Sequence, residues 1–480
     1  MDSTDIITLL PFIIIGGTSV VVMAQIAIHR DYLVTFLLTL AGFIGAFITV
    51  PVIYTYQPRQ VTTLFIIDST AAFYMGLILI ASFLVSLISY RYIKNYFGYR
   101  EEYYILLLLA TLGSIILVAS NHFISFFLGL ELLSVSLYVL ISFNWRQRER
   151  IEAAIKYLIL AGTTSAFLLF GIALIYATLG RLDFAGTSIP AGLSSQELSV
   201  LLIGWGLLVV GIGFKLAVVP FQLWTPDVYQ GAPAPVTGFI ASVSKGGVFV
   251  LMLRYFHQGL IADSAALWWM FAIISIASML FGNLLALMQS NIKRILAYSS
   301  IAHLGYLLVA FLATGPLAPQ AVAFYLVAYF ATTLVAFGVI TVLSTHEREV
   351  ESLADYQGMF WRHPWLSIIF AASLLSLAGI PPMAGLVGKI YLAAAGVQSG
   401  LWLLLIVLVI GSVIGVFYYL RIVIAMFRHP VEENEGPLPT PSLYPANNVV
   451  LAALVLVLVW LGIYPAPVFR VIAHLVTNLK

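Results

Sequence analysis

The sequence predicts an all-α, polytopic membrane protein of about fourteen transmembrane helices, containing two inverted repeats of five helices, each with a broken helix. Three observations predict this fold class. Charged residues make up 9% of the 480 residues and hydrophobic residues 62%, whereas a soluble domain carries roughly 25% charged residues. Apolar runs of about twenty residues, enough to cross a hydrocarbon layer of about 30 Å, recur along the chain. Two of these runs are interrupted by proline.

The apolar runs are placed with boundaries good to a few residues. They lie at 6–28, 33–54, 71–90, 103–120, 122–143, 154–180, 198–224, 236–256, 265–287, 295–313, 320–343, 365–394, 401–427 and 449–471. The start of the chain, Met-Asp-Ser-Thr-Asp, is acidic and lacks the basic region of a signal peptide, so we expect the first run to be a retained span.

Basic residues concentrate in alternate connections between the runs. By the positive-inside rule, the rich connections are cytoplasmic, and an even number of spans then places both termini on the outer side. The rich set contains Arg30, Arg91, Lys94, Arg100, Arg146, Arg148, Arg150, Lys293, Arg294, Arg348, Arg362 and Arg428. The poor set contains little beyond Arg59, Arg181, Arg254, Arg470 and Lys480.

Composition also excludes several function classes. The net charge of +2 gives no reason to expect nucleic acid as a partner. The absence of cysteine excludes disulfides, thiolate zinc sites and cysteine-ligated iron–sulfur clusters from this chain.

Four ionisable residues lie in the middle of apolar runs: Glu131, Lys215, Lys245 and Lys389. An ionisable group near the bilayer centre costs about 2.5–3.5 kcal/mol on insertion scales, so each needs a reason. We interpret all four as functional; the alternative is a packed structural ion pair.

Three further residues are weaker candidates for a relay. Lys156 and Lys293 lie near predicted cytoplasmic helix starts, where a simple positive-inside anchor explains them equally well. His303 is a candidate proton relay because imidazole titrates near neutrality, and a hydrogen-bonded core histidine is the alternative.

The two proline-interrupted runs define the repeats. Pro220 follows Lys215 in the seventh run, and Pro381 and Pro382 precede Lys389 in the twelfth. Such breaks persist at membrane depth only where protein or water satisfies the freed backbone groups. Two broken spans five spans apart indicate inverted repeats. We expect three N-terminal helices in 1–102, the first repeat in 103–258, the second in 259–428, and a cytoplasmic loop with the last helix in 429–480.

These residues suit proton transfer. Desolvation disfavours a charged lysine and a nearby carboxylate favours it, so opening and closing a contact between Glu131 and Lys215 would release and restore a proton. Lys245 and then Lys389 would pass it along a polar axis in the membrane plane. Ammonium groups cannot ligate a metal cation, which favours H⁺ over Na⁺ as the moving ion.

Long motifs at the same positions resemble a known family. The segment 213–233, which includes Gly-Phe-Lys-Leu-Ala-Val-Val-Pro-Phe and Trp-Thr-Pro-Asp-Val-Tyr-Gln-Gly-Ala-Pro, is similar to the antiporter-like subunits of respiratory complex I. Its Trp-Thr-Pro-Asp indicates the branch of that family with Thr, rather than Leu, after Trp. Further matches are Gly-Leu-Glu-Leu at 129–132, Glu-Ala-Ala-Ile-Lys-Tyr at 152–157, Asn-Ile-Lys-Arg at 291–294, the Tyr-Ser-Ser-Ile-Ala-His-Leu-Gly-Tyr stretch at 298–306 and Ser-Leu-Ala-Gly-Ile-Pro at 376–381.

The resemblance implies a proton-translocating subunit of the membrane arm of bacterial NADH:quinone oxidoreductase, in the inner membrane with both termini periplasmic. Its partners would be neighbouring antiporter-like and small membrane subunits and lipid. FMN, iron–sulfur clusters and quinone would belong to other subunits, leaving this chain without a redox centre. In the family pattern, the residues matching Glu131, Lys215, Lys245 and Lys389 form the proton axis.

One departure concerns the segment Pro-Phe-Gln-Leu-Trp at 220–224, where the family often has His in place of Gln222. An amide cannot titrate, so the relay role of that histidine is in doubt in this chain. Two explanations remain open: water or Tyr229 substitutes for the histidine, or the histidine is not essential to the path.

Three other functions remain open from sequence. A subunit of a multi-subunit cation/proton antiporter would use the same buried lysines, since fold alone does not fix function. The equivalent subunit of a photosynthetic or ferredoxin-fed complex would differ only in its partners. A purely structural scaffold would leave the four buried charges unexplained.

Overall fold

The computed structural model describes residues 2–96, 98–143, 147–187, 189, 193–256, 260–345, 348–429 and 445–476. In this part of the chain, thirteen helical segments are long and apolar enough to cross a membrane, and Pro364–Ala378 is a shorter apolar helix. The predicted all-α membrane fold is confirmed. The predicted loop at 430–444, together with Arg146 and Lys480, lies outside the described residues.

The helices follow the predicted runs closely. They are α1 Ser3–Thr8, α2 Leu10–Ile28, α3 Tyr32–Ile53, α4 Ser69–Lys94, α5 Glu102–Ala119, α6 Phe123–Ile141, α7 Arg148–Leu179, α8 Ser195–Leu216, α9 Trp224–Gly231, α10 Ala234–Phe239, α11 Lys245–Phe256, α12 Leu260–Asp263, α13 Ala265–Leu287, α14 Ile292–Leu312, α15 Leu317–Leu343, α16 Met359–Arg362, α17 Pro364–Ala378, α18 Ala384–Gln398, α19 Trp402–Phe427, α20 Pro445–Ile463 and α21 Ala466–Val476. Strands β1 Arg59–Val61 and β2 Phe65–Ile67 form an antiparallel hairpin in which Arg59 pairs with Ile67.

Two predicted runs are wrong in extent. The run at 6–28 is two helices, α1 and α2, which meet at Leu9. The run at 449–471 ends as a helix at Ile463, and α21 begins at Ala466 after Pro465. Proline lacks an amide hydrogen and restricts the residue before it, so a helix ends there readily.

The first break lies between α8 and α9. Helix α8 ends at Leu216, and the next residue, Ala217, adopts a left-handed conformation (φ 60°) that is uncommon outside glycine. The freed backbone groups find partners: the Trp224 indole donates to the Phe214 carbonyl (2.8 Å), and the Val219 amide donates to the hydroxyl of Ser278 (2.9 Å). This satisfies the requirement for irregular backbone at membrane depth.

The second break lies between α17 and α18. Gly379 (φ 82°) ends α17, and the Ile380 amide returns to the Leu375 carbonyl at 2.9 Å. Helix α20 packs directly against this break, because a Cβ at Gly462 would lie 1.8 Å from the Pro382 carbonyl oxygen. Any side chain at position 462 would therefore displace one of the two segments.

A third irregularity was not predicted from the sequence. Between α10 and α11, residues Ile240–Ser244 form a π-helical turn, and Lys245 follows it immediately. Single π turns inside α-helices occur frequently at functional sites.

The centre of the molecule is formed by three segments, Ala234–Phe256, α14 and α15, each with 94% of its apolar window buried. By contrast, only 28% of the corresponding window is buried in α2 and α7, and these helices offer apolar surface to lipid or to a neighbouring subunit. The central segments therefore carry the side chains that lie farthest from lipid.

Candidate functional site

Lys215 lies at the end of α8, one residue before its last residue, and is 3% exposed. Its Nζ donates to the hydroxyl of Ser134 at 2.6 Å and lies 5.2 Å above the Tyr157 ring. The Ser134 hydroxyl in turn donates to the Leu130 carbonyl at 2.5 Å. Lys215 is thus held by a neutral, hydrogen-bonded hydroxyl and an aromatic face.

Glu131 lies one turn before Ser134 on α6 and accepts a hydrogen bond from Ser165 of α7 at 2.6 Å. Within the described residues, no ion pair shorter than 4 Å joins Glu131 to Lys215. In this structure the two groups are therefore apart: Glu131 on α6 uses the Ser165 hydroxyl, and Lys215 uses the Ser134 hydroxyl of the same helix. The opening and closing of a contact between them stays a prediction.

Lys245 follows the π turn and is 1% exposed. Its Nζ donates to the Ser300 hydroxyl on α14 at 2.5 Å and lies 5.2 Å from the centre of the Tyr229 ring. The Tyr229 hydroxyl is itself 3.3 Å from the Ser300 hydroxyl. Ser300 therefore joins Lys245 to Tyr229, one of the candidate relays.

Aromatic rings separate Lys215 from Lys245. The Tyr157 ring, under Lys215, has its centre 4.8 Å from that of Trp224, and Lys245 lies 5.9 Å from the Trp224 ring centre. Each ammonium group therefore lies near a different ring of this contacting pair, whose planes are tilted by 51°. Proton transfer between them needs water that enters beside these rings or a movement of the rings.

His303 lies on α14, one turn after Ser299 and Ser300, and is 4% exposed. Its Nδ1 is 2.6 Å from the Tyr325 hydroxyl, and its Nε2 is 3.1 Å from the Tyr419 hydroxyl, which also contacts Ser299. The imidazole is therefore both a satisfied core histidine and the centre of a continuous chain of hydroxyl groups.

Lys389 lies on α18 and is 7% exposed. Its Nζ donates to the carbonyl of Ala378, the last residue of α17, at 2.9 Å, and lies 5.3 Å from the Tyr306 ring centre. The lysine after the second break therefore folds back onto the carbonyl that the break exposes.

A small cavity lies between the residues around Lys245 and those around Lys389. Its lining includes Ala241 of the π turn, Ser299, Tyr329, Thr333 and Leu377, near the end of α17. Its lining is mostly apolar, but the hydroxyl-bearing residues Ser299, Tyr329 and Thr333 also line it, and it has room for about one water molecule. It thus lies between the segment that carries Lys245 and the break beside Lys389.

The two remaining candidates, Lys156 and Lys293, differ from the lysines above because they form ion pairs. Lys156 is half-exposed and contacts Glu152 (2.7 Å) and Asp227 (2.8 Å). Arg294 also contacts Asp227 at 2.8 Å. Burial would raise the pKa of Asp227, but the hydrogen bonds from these two cations hold it below its ordinary value.

Lys293 is fully buried and pairs with Glu349, in the connection after α15. Glu349 also accepts from Arg150 at 3.2 Å and from the Tyr92 hydroxyl at 2.5 Å. Burial would raise the pKa of Glu349, but Lys293 and Arg150 hold it below its ordinary value. No local sequence pattern indicates this cluster, because Arg150 and Glu349 are 199 positions apart.

The structure thus contains two classes of buried charge. Lys293, Arg150 and Arg254 each have a carboxylate partner, Glu349 or, for Arg254, Asp68 at 2.8 Å. In the described part of the chain, Lys215, Lys245 and Lys389 have no carboxylate within 4 Å and contact a hydroxyl or a carbonyl oxygen.

Sequence reasoning missed the neutral groups of the site. Ser134, Ser165 and Ser300 contact three of the four predicted residues, yet serine within an apolar run is too common to attract notice. The Gln222 side-chain oxygen is buried with no hydrogen-bond partner, so it makes no contact that replaces an imidazole. Among the described residues, no group of three His, Cys, Asp or Glu side chains is arranged to hold a metal ion.

Comparison with known proteins places this geometry in context. The family described as "NADH:quinone oxidoreductase/Mrp antiporter, TM" matches residues 120–415. A curated relative from Methylococcus capsulatus, "NADH-quinone oxidoreductase subunit N", is 44% identical over 477 residues, which cover 98% of this chain and 96% of the relative.

Solved structures agree with the fold along nearly the whole chain. A chain of respiratory complex I from Thermus thermophilus, with bound aureothin, is 31% identical, with a TM-score of 0.82 over 96% of this chain and 98% of that chain. A chain of the archaeal membrane-bound sulfane sulfur reductase has a TM-score of 0.87 at 22% identity, covering 99% and 98%. A chain of the Mrp complex from Dietzia sp. has a TM-score of 0.86 at 19% identity, covering 100% and 98%. The last two similarities concern the fold alone.

Proposed function

The chain belongs to the NADH:quinone oxidoreductase/Mrp antiporter family of membrane subunits, and from this premise we propose that Glu131, Lys215, Lys245 and Lys389 carry protons through it. It is a membrane-arm subunit of an NADH:quinone oxidoreductase, similar to subunit N, and it translocates protons as electrons pass from NADH to quinone. The Trp-Thr-Pro-Asp segment indicates the branch of the family that contains the relative from Methylococcus capsulatus.

One observation carries the proposal: three buried lysines have no carboxylate partner. A charge at membrane depth without a counter-ion costs about 2.5–3.5 kcal/mol, so a structural role would favour replacing it or pairing it. The buried arginines and Lys293 of the same chain are paired. Selection for reversible protonation accounts for this difference between the paired and the unpaired cations.

The order of the groups follows from their contacts. Glu131 lies on α6, and Lys215 contacts Ser134 of the same helix, in the first predicted repeat. Lys245, Ser300 and Tyr229 form the next group, beside the Trp224 ring. The hydroxyl chain of Ser299, Tyr419, His303 and Tyr325 continues toward Lys389 in the second repeat. The cavity beside Ser299, which Tyr329 and Thr333 also line, supports a water-bridged step across the remaining gap.

Tyr229 and His303 are the relays that this arrangement supports: Tyr229 contacts the Ser300 hydroxyl, which accepts from Lys245, and His303 joins the hydroxyls of Tyr325 and Tyr419. Lys156 lies half-exposed in ion pairs with Glu152 and Asp227, at a position suited to attract protons rather than to store one. Tyr229 contacts Ser300, whereas the Gln222 oxygen has no partner, so Tyr229 is the better substitute for the missing histidine.

We further propose that this chain contains no redox centre and that FMN, iron–sulfur clusters and quinone are bound by other subunits. The proposed location is the bacterial inner membrane, and the positive-inside distribution supports an orientation with both termini periplasmic. The ion pairs of Lys156 and Lys293 then lie at the cytoplasmic end, and Asp68 with Arg254 at the outer end.

The division into three N-terminal helices, two repeats (103–258 and 259–428) and a C-terminal segment is also a proposal. Its support is the recurrence of close packing in the first two helices of each repeat. Gly113 lies against the backbone of Gly129 in α5–α6, and Gly282 lies against the backbone of Ala302 in α13–α14.

The test is proton translocation in sealed vesicles that contain the assembled complex with Lys245→Ala. We expect protons pumped per electron and quinone reduction to collapse, while NADH oxidation by an artificial acceptor persists. Lys94→Ala is the matched control, because Lys94 is an exposed lysine at the end of α4. Unchanged pumping in the Lys245 variant would exclude this lysine from the path, and with it the proposed axis.

A further inference from the structure

A buried cluster of opposite charges lies beside the proton axis without belonging to it. Glu349 is surrounded by Arg150, Lys293, the Tyr92 hydroxyl and the backbone amide of Ala234. The Tyr96 hydroxyl completes the shell, since it contacts both Arg150 and the Tyr92 hydroxyl. These groups come from α4, α7, α10, α14 and the connection after α15, so the cluster joins five segments that are distant in sequence.

The cluster is attached to the backbone at the junction of α9 and α10. Lys293 Nζ donates to the Gln230 carbonyl at 2.8 Å and to the Ala232 carbonyl at 2.7 Å. Glu349 accepts from the Ala234 amide at 3.2 Å. The ion pair therefore holds both sides of a two-residue junction, where backbone groups have lost their helical partners.

This junction lies next to the proton carriers along the chain. Tyr229 is one residue before the first held carbonyl, and Lys245 follows the short helix and π turn that begin at Ala234. Helix α14 carries both Lys293 and, seven residues or about two turns later, Ser300, which contacts Lys245. A shift of the junction against α14 therefore changes the Lys245–Ser300 and Tyr229–Ser300 distances together.

We propose that Arg150, Lys293 and Glu349 form a positioning clamp, which fixes the α9–α10 junction against α14 and thereby sets the geometry of Lys245, Ser300 and Tyr229. Lys293 acts in it as an anchor of backbone carbonyls and not as a relay. The clamp deepens the proposed function and rests on it, because its purpose is to align a proton step at Lys245.

The experiment uses the assembled complex and compares Glu349→Gln and Lys293→Met with Asp68→Asn. Glutamine keeps the shape but leaves two cations unpaired, and methionine removes both carbonyl contacts. Asp68→Asn is the matched control, because it also leaves an arginine, Arg254, without its carboxylate, at the opposite end of α4 from Tyr92. Tyr92→Phe is a milder variant that removes one hydroxyl and leaves every charge in place.

We expect quinone reduction per assembled complex to fall about tenfold or more in the Glu349 and Lys293 variants, since a misplacement of about 1 Å costs up to about 100-fold. The control should reduce the amount of complex but not the rate per complex. Tyr92→Phe should lower the rate about threefold, and it supplies the result if the stronger variants do not assemble.

A purely structural role is separated by combining these variants with Ser300→Ala. If the clamp acts through the Lys245 geometry, adding Glu349→Gln or Tyr92→Phe to the Ser300→Ala variant should lower the rate of quinone reduction by less than about twofold. Effects that multiply, or a Glu349 variant with the rate of the Asp68 control, would overturn the clamp. Loss of pumping in Lys245→Ala with normal pumping in Glu349→Gln refutes the clamp alone, whereas normal pumping in Lys245→Ala refutes the proposed function itself.

Discussion

Replacing Lys215 by methionine should abolish proton pumping without destabilising the protein. Burial of this lysine costs about 2.5–3.5 kcal/mol on insertion scales, and its hydrogen bond to Ser134 returns about 1.5–3 kcal/mol. Methionine has a similar unbranched shape, and the Ser134 hydroxyl keeps its bond to the Leu130 carbonyl. The free energy of unfolding should therefore change by between about −0.5 and +2 kcal/mol.

The matched comparison is Arg254→Met, which should have the opposite effect. It leaves Asp68 buried without the guanidinium that contacts both of its oxygens at 2.8 and 2.9 Å. Removing one partner of a buried ion pair costs about 3–5 kcal/mol. The two substitutions thus separate a buried charge kept for function from one kept for structure.

The assay combines native gels, thermal denaturation of the solubilised complex and protons pumped per electron in sealed vesicles. Lys215→Met should assemble with an unchanged or higher denaturation temperature and without coupled quinone reduction, while Arg254→Met should denature at a lower temperature. If Lys215→Met is as unstable as Arg254→Met, Lys215 is a structural residue. If its pumping is normal, it lies outside the proton path.

Three further predictions follow from single contacts. Ser300→Val removes the hydroxyl between Lys245 and Tyr229 and should lower the rate of quinone reduction about tenfold. The control is Ser275→Val, which breaks only a hydrogen bond to the Gly305 carbonyl; equal rates in the two variants would contradict the prediction. Gln222→Ala should leave protons per electron within about twofold of the parent, because an amide does not titrate and its oxygen has no partner; a larger loss would place Gln222 on the path. Glu349 has a lowered pKa in the folded protein, so its stabilising effect is fully present above its ordinary pKa of about 4.3 and is lost as the pH falls through the pKa of the folded state. The difference in denaturation temperature between the parent and Glu349→Gln should therefore be constant from about pH 6 to pH 8 and shrink only in acid.

The fold was predictable because membrane insertion imposes strong local rules. Length and hydropathy located nearly every span, and proline marked both breaks, since each signal acts within about twenty residues. The two features that were predicted wrongly or not at all also have local causes. Pro465 was included in a span although it ends one, and the π turn before Lys245 has no residue pattern that distinguishes it from an α-helix.

The site was predictable only for charges that are conspicuous at membrane depth. Glu131, Lys215, Lys245 and Lys389 stand out because apolar residues surround them, and the structure places each of them next to polar groups from another helix or helix segment. Their partners depend on distant positions: Ser300 is 55 residues from Lys245. Glu349 lay in a polar connection, where a carboxylate is ordinary, so nothing local indicated its burial.

The choice of neutral partners explains how these lysines can work. A carboxylate at hydrogen-bond distance would stabilise the ammonium form and oppose proton release. A hydroxyl or a carbonyl oxygen accepts a hydrogen bond from the ammonium and from the neutral amine alike, so it positions the nitrogen without fixing its charge. Each lysine also lies beside irregular backbone: Lys215 before the first break, Lys245 after the π turn, and Lys389 on the Ala378 carbonyl at the second. Broken helices thus supply polar contacts at a depth where water is scarce, and the paired charges of Glu349, Lys293 and Arg150 keep the segments between them in register.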